Sequence, residues 1–253
     1  MKTSPPTGDT GDFSWTPAFW RGWRESANPY RRHKSHRDLE VVLRLLGLQP
    51  GQRVLEVGCG YGWVSRAIWD AADVSWVGMD RSADMIESLR LAAPRRGSST
   101  FVGDGRSLPF RAGSFDSVLC TGVLMHVRED LDTVRELVRV LRPGGRLVVS
   151  VNNALSPYSL PVRVWNGRKQ GFIQQFRNPF SIRRFLHACG VGRIEVAGDG
   201  IVATTPIERG SIRFPPRSLA APLCRVDRWV SDRLPWLAYE VWFGGVKATS
   251  GGA

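Results

Sequence analysis

Three glycines at alternate positions, Gly58-Cys59-Gly60-Tyr61-Gly62, follow directly on the apolar run Arg53-Val-Leu-Glu-Val57, and a helical stretch to about Ala71 comes next. A strand that enters a helix through such a loop exposes backbone N–H groups at the helix N-terminus, and glycine has no Cβ to hold a ligand off. Nucleotide-type ligands use sites of this kind. The third glycine comes one residue earlier than in the dinucleotide fingerprint Gly-x-Gly-x-x-Gly, which disfavours a pyrophosphate. Glu56 at the strand end argues the same way, since it would repel a phosphate and suits a ligand that carries positive charge.

Other reactive side chains are scattered. Cys59, Cys120, Cys189 and Cys224 are far apart, so no Cys-x-x-Cys metal or redox pair exists, no disulfide framework is expected, and a reduced cytoplasm fits best. His33 and His36 lie in Arg31-Arg-His-Lys-Ser-His-Arg37, a run that reads as a solvated face.

The elements that must hold the glycine loop alternate in type. Strands are expected at 53–57, 74–79, 100–102, 117–121 and 146–151, with helices at 83–92 and 130–141 between them, and Pro143-Gly-Gly145 as the stop after the second helix. Upstream, Leu39, Val42, Leu43 and Leu46 recur at helical spacing, with Gly47 placed to end an amphipathic helix over 36–46. Downstream the rhythm loosens, with a helix expected at 180–189, a strand at 193–196, a helix at about 218–233 and a last strand at 236–248. Strand–helix alternation of this length predicts an α/β fold, a parallel sheet with helices on both faces.

In order and spacing the motifs resemble the class I S-adenosylmethionine-dependent methyltransferases, specifically the type 11 methyltransferase domain group. Leu55-Glu-Val-Gly-Cys-Gly-Tyr-Gly62 is similar to the family's first motif. Asp80, in Val77-Gly-Met-Asp-Arg-Ser82, stands where the family has the acidic residue that holds both ribose hydroxyls. Asp104, in Gly103-Asp-Gly-Arg-Ser-Leu-Pro-Phe110, matches the acceptor for the adenine amino group, with Gly105 beside the ring. Phe115-Asp-Ser-Val-Leu-Cys-Thr-Gly-Val-Leu-Met-His126 resembles the fourth strand and the loop near the methyl group, and Leu141-Arg-Pro-Gly-Gly-Arg-Leu147 the motif before the fifth strand. The resemblance implies a Rossmann-like seven-stranded, mostly parallel sheet, S-adenosyl-L-methionine as cofactor, and Glu56, Gly58, Cys59, Gly60, Gly62, Asp80, Arg81, Asp104, Gly105 and Thr121 as the residues around it. It is strong over 40–151 and weaker beyond, where Asn178-Pro-Phe-Ser-Ile-Arg-Arg-Phe-Leu-His-Ala-Cys-Gly190 looks like the helix before the sixth strand.

Such a site performs an in-line displacement at a methyl carbon, for which positioning and exclusion of water matter most. A hydroxyl acceptor would also need its proton removed. His126 is the candidate base; the alternative is that it caps or packs at the start of the next helix. One residue of the 31–37 run could reach the cofactor carboxylate. No metal is expected, because the positions where catechol-type enzymes carry ligands read Thr121 and Asn152-Asn153. Cys120-Thr-Gly-Val123 lacks the Asp- or Asn-Pro-Pro-aromatic clamp of adenine-amino methyltransferases, which disfavours DNA.

The net charge is +12, with 35 basic and 23 acidic side chains, and +8 of it falls after residue 151. Basic residues interleaved with Tyr158, Trp165, Phe172, Phe176 and Phe214 suggest a pocket for a small amphiphilic or anionic molecule. Nucleic acid, as the substrate of an RNA methyltransferase, is the main rival, and a catalytically silent cofactor-binding subunit a third possibility. No apolar run approaches the roughly 20 residues that span a bilayer, and the N-terminus carries no secretory pattern, so a soluble cytoplasmic enzyme is expected. The oligomeric state is left open. The expected organisation is a disordered tail (1–12), an N-terminal helical cover (13–48), a cofactor core (49–151), and a segment (152–253) that completes the sheet and supplies the substrate-side cover, chiefly 198–235, within the same domain.

Overall fold

The computed structural model describes residues 16–92, 97–160, 163, 174–201, 207–209, 212–214 and 217–249. The expected tail (1–12) and the aromatic residues Phe13, Trp15, Trp165 and Phe172 lie outside the described residues.

Five apolar runs form parallel strands, β1 (Arg53–Val57), β2 (Ser75–Asp80), β3 (Ser99–Val102), β4 (Phe115–Cys120) and β5 (Leu141–Asn152). Beyond them lie β6 (Val191–Asp199), a separate antiparallel pair, β7 (Ile207–Arg209) with β8 (Ile212–Phe214), and β9 (Glu240–Lys247). The seven-stranded sheet has the order β3-β2-β1-β4-β5-β9-β6, and only β9 runs against the rest. Winding reverses between β1 and β4, which opens a crevice at the carboxyl ends of these strands, where α/β folds bind ligands.

Successive strand residues point to opposite faces, and both faces are covered. On one, Val54, Trp76, Leu119, Val148 and Trp242 meet α2 (Pro29–Leu46), α3 (Trp63–Ala71) and α4 (Ala83–Leu91). On the other, Leu55, Val57, Val118, Val149 and Phe243 meet α5 (Asp130–Val140) and α6 (Pro179–Ala188). A short α1 (Pro17–Arg24) precedes α2, and α7 (Ala220–Arg233) packs on β6 and α2. From α2 alone Val41, Val42, Leu45 and Leu46 are buried, each contributing about 1.5–3 kcal/mol. Among the described residues no helix is long and apolar enough to cross a membrane.

Three expectations need correction. Helix α2 starts at Pro29 rather than 36, because Asn28 Oδ1 accepts from Tyr30 N at 2.9 Å and Pro29 supplies a preset first turn. Its added turns bury Lys34, Arg37 and Asp38, so the 31–37 run is no solvated face. Pro143-Gly-Gly145 ends α5 but does not separate it from the strand: the chain turns extended at Leu141, pairs with Phe115, and continues through a register shift. Within the segment 198–235, the first residues complete β6, and α7 carries the buried Asp227 and Ser231.

Candidate functional site

The glycine loop closes on itself before it offers anything to a ligand. Gly58 N and Cys59 N both donate to Met79 O at the end of β2, at 2.7 and 3.1 Å, which locks the loop to the neighbouring strand. Gly58, Gly60 and Gly62 all have positive φ, of 76°, 54° and 89°, which only glycine adopts without strain. Their surroundings differ. A Cβ on Gly58 would lie 2.0 Å from Val123 Cγ2 and one on Gly62 2.4 Å from Leu89 Cδ1, whereas a Cβ on Gly60 would meet nothing within 4 Å. Two of the glycines are therefore required by the protein's own packing, and the middle one faces open space.

Asp80 stands at the edge of that space. Its Oδ2 accepts from Gly60 N at 2.8 Å and its Oδ1 from Ser82 N at 2.9 Å, so backbone amides fix both oxygens while each keeps lone pairs to offer. Burial raises its pKa, and the amide hydrogen bonds oppose that shift. Arg81 next to it is exposed and close enough to help lower the pKa of Asp104.

Glu56 turns away from the loop surface. It is buried beneath α3, where Oε2 accepts from Ser65 Oγ at 2.8 Å and Trp76 Nε1 at 3.0 Å. Desolvation pushes its pKa up to about 7 against those two hydrogen bonds. Burial also pushes the thiols of Cys59 and Cys120 up, so neither is a nucleophile near neutrality.

Asp104 follows β3 and is held by its neighbour. Arg106 donates to it through the main-chain N–H at 2.9 Å and through the guanidinium at 2.6–3.0 Å, and reaches Glu129 at 2.9 Å. The guanidinium keeps the Asp104 carboxyl below the usual range. Gly105 is tightly packed, since a Cβ there would lie 3.1 Å from both Thr133 Cγ2 and Val57 Cγ1. After β4, Thr121 is half-buried, Gly122 N donates to Ser150 Oγ at 2.8 Å, and Leu124–His126 form a single 3-10 turn. His126 is half-buried at the end of that turn, three residues before Glu129, the N-cap of α5.

Residues 55–149 match the family described as a methyltransferase domain. This stretch of the chain, holding the glycine loop, Asp80 and Asp104, is a methyltransferase domain. Demethylmenaquinone methyltransferase of Renibacterium salmoninarum is 39% identical over 111 residues, 44% of this chain and 45% of the relative. The human protein named "Probable tRNA methyltransferase 9B" is 31% identical over 221 residues, 85% of this chain and 44% of the relative. The chain thus spans less than half the length of either relative. Among solved structures, a chain of the Haloferax volcanii complex between the Trm112 methyltransferase activator and a methyltransferase superposes with a TM-score of 0.64 at 19% identity, covering 92% of this chain and 99% of that one.

The methyltransferase domain is bordered by segments that only the structure reveals. Residues 174–178 form a strap between β5 and the 124–130 loop: Gln175 N donates to Met125 O at 2.7 Å, Gln175 Nε2 to Val127 O, and Arg177 pairs with Asp130 through both carboxylate oxygens. Arg177 N donates to Asn152 O at 2.8 Å, tying the strap to the end of β5. On the other side of the domain, the Arg21 guanidinium of α1 lies 5.4 Å from the Tyr61 ring in the glycine loop, with Arg21 also donating to Ser88 at 3.2 Å. Arg106, Ser150, Gln175 and Arg177 had no signal in the sequence except, for Arg106, its place two residues after Asp104. Of the 31–37 run, Lys34 and Arg37 are engaged by carboxylates, while Arg32, His33 and His36 line a separate cavity with Cys224.

Proposed function

We propose that this chain transfers a methyl group from S-adenosyl-L-methionine to a small, partly apolar acceptor held under the strap and α1. The observation that carries this is the open space over Gly60, bounded by an Asp80 carboxylate whose two oxygens are already fixed in place. The residues fit the cofactor: Asp80 would take the ribose hydroxyls, Asp104 the adenine amino group, and the Gly58–Gly62 loop with Thr121 the methionine part, with Arg81 and Gly105 beside the adenine. When bound, the cofactor supplies a methyl carbon on a positively charged sulfur with a good leaving group. The chain's task is then to orient the acceptor in line and to exclude water. Gln175 holds the carbonyls of Met125 and Val127 on either side of His126, which fixes the backbone of the loop nearest the transfer. His126 would accept a proton only where the acceptor is a hydroxyl.

A small acceptor is favoured because, among the described residues, five basic side chains around the carboxyl edge are already paired. Arg24, Lys34, Arg37, Arg106 and Arg177 each face a carboxylate of this chain, which leaves them poorly placed to form a phosphate-binding stripe. RNA is the second candidate substrate, favoured by the likeness to the human relative over 85% of this chain. Labelled methyl transfer into a small-molecule extract, measured beside transfer into total RNA, decides between them. Label in the small-molecule fraction is expected. Label in RNA, with binding whose logarithm falls by several units per unit of log salt, would replace that assignment.

A further inference from the structure

Past the strap, at the sheet edge where Glu240 pairs with Asn152 and Asp199, large apolar side chains stay in solvent. Leu155, Phe180, Trp229, Leu234 and Leu237 are 42–58% exposed. Scattered singly, such residues would need no explanation. These five are joined. Phe180, in the first turn of α6, stacks on Trp236 with ring centroids 4.7 Å apart and an interplanar angle of 15°. Trp236 and Leu237 belong to the 3-10 turn Pro235–Leu237, where Leu237 N donates to Leu234 O at 3.0 Å. Leu234 N in turn donates to Val230 O at 2.8 Å, one residue along α7 from Trp229. Asn153, just after β5, donates through Nδ2 to Trp236 O at 2.7 Å and Ala238 O at 2.8 Å, and its Oδ1 accepts from Leu155 N at 2.8 Å. Three segments distant in sequence thus present one apolar strip.

The charges over its rings are both positive. The Arg233 guanidinium lies 4.2 Å from the Trp229 ring, and that of Arg183, one turn beyond Phe180, 5.9 Å from the Trp236 ring. Both arginines are exposed, and among the described residues neither faces a carboxylate. This pairing of apolar strip and free cations selects among partners. A single-stranded nucleic acid is held by ring faces and donors, which Leu155, Leu234 and Leu237 do not supply. A second copy placed across a two-fold axis would bring Arg183 and Arg233 to a strip with the same arginines and no acid to receive them. A lipid surface with anionic headgroups matches both parts, since tryptophan settles at headgroup level, leucine reaches the acyl boundary, and guanidinium meets phosphate.

We propose that this edge of the chain docks on an anionic lipid surface, with Leu155, Phe180, Leu234 and Leu237 entering the headgroup region and Arg183 and Arg233 on its phosphates. The contact is peripheral, because no described helix is long and apolar enough to cross a membrane. Asn178, the last residue of the strap, caps α6, so the strip borders the place proposed for a partly apolar acceptor, which would pass from lipid to the strap without crossing water. That passage rests on the proposed function; the docking itself does not.

The test uses the full chain without cofactor, and vesicles of phosphatidylcholine alone or mixed with phosphatidylglycerol. Co-sedimentation with the mixed vesicles is expected, weakening as salt rises, with little binding to phosphatidylcholine alone. The double variants Trp229→Ser with Leu237→Ser, and Arg183→Glu with Arg233→Glu, all at exposed positions and verified as folded by circular dichroism, should each bind the mixed vesicles about tenfold more weakly. Leu91→Ser, at the exposed end of α4, should bind as the natural chain does. Absence of binding to the mixed vesicles, unchanged binding in either folded double variant, or the same loss in Leu91→Ser would overturn the proposal. So would a dimer in sedimentation velocity that the Trp229 and Leu237 changes break apart. With no cofactor present, the outcome is read separately from methyl transfer.

Discussion

The carboxyl edge of one sheet carries two buried polar centres made from opposite materials. Over β1, β2 and β4, Glu56 and Asp80 are held by neutral donors: the amides of Gly60 and Ser82, the Ser65 hydroxyl and the Trp76 indole. At β6 and β9, Asp199 and Glu240 are faced by Lys34, reaching across from α2. The first centre is preset by backbone that the strands themselves position, and it keeps lone pairs for a ligand. The second depends on long side chains from separate elements, so each partner removed exposes another to an uncompensated interior. The proposed binding site and the charged cluster thus differ in which donors meet the carboxylates, although both hold the same chemical group.

The largest effect that would sharpen this contrast is expected at Lys34. Lys34→Met leaves Glu240 and Asp199 buried without their cation, and breaking a buried pair on one side costs about 3–5 kcal/mol. Thermal unfolding should show a Tm lower by about 10 °C, with cofactor affinity of the folded fraction within a few-fold of the natural chain. A large affinity loss instead would mean that the two centres are coupled.

Next comes the glycine-loop centre. Asp80→Ala removes the acceptor proposed for two hydroxyls, each hydrogen bond to a charged group being worth about 1.5–3 kcal/mol, and Gly60→Val fills the open space. Both should lower cofactor affinity by at least tenfold in calorimetry while circular dichroism stays native. Unchanged affinity in both would remove the cofactor assignment.

A smaller effect is expected from Glu56 and appears as a pH dependence. Its folded pKa, about 7, lies above the ordinary 4.5, so the native state holds a proton that the unfolded chain has already released. Stability is therefore full below about 4.5, falls as pH rises through that window, and levels off above about 7. Glu56→Gln keeps an acceptor for Ser65 and Trp76 and should flatten this part of the profile, gaining about 1–3 kcal/mol at pH 8. A variant with the natural slope would place the titration elsewhere.

The smallest effect concerns His126. His126→Ala should lower Tm slightly and leave turnover within a few-fold, because positioning dominates methyl transfer from a sulfonium. A fall of about 10²–10⁴-fold with cofactor affinity kept would instead make it the base.

The two centres also differ in how far they could be read from the sequence. Gly58, Gly60, Gly62 and Asp80 sit at strand ends, where apolar runs and glycine spacing mark their positions, and the seven-stranded sheet is legible from the same runs. What spacing could not tell was that Gly58 and Gly62 are demanded by Val123 and Leu89 and only Gly60 faces open space. The first turns of α2 were illegible because they bury Lys34, Arg37 and Asp38 rather than apolar residues, so no hydrophobic period marks them. Lys34, Asp199 and Glu240 come from three distant places in the chain, and no spacing rule could join them.

The reversed strand β9 has a consequence for how the chain can be made. Synthesis delivers β5 and β6 first, yet in the finished sheet they are separated by β9, which pairs with both. Until residues 240–247 leave the ribosome, one long edge of β5 and the whole of β6 lack their ladder, an invitation to pair with other chains. The last strand therefore acts as a wedge that ends a vulnerable interval rather than as an ornament on a finished fold. Lys247 completes the closure: its ammonium donates to Val138 O and Leu141 O, both at 2.7 Å, so the C-terminal end of the wedge fastens onto the bend where α5 becomes β5.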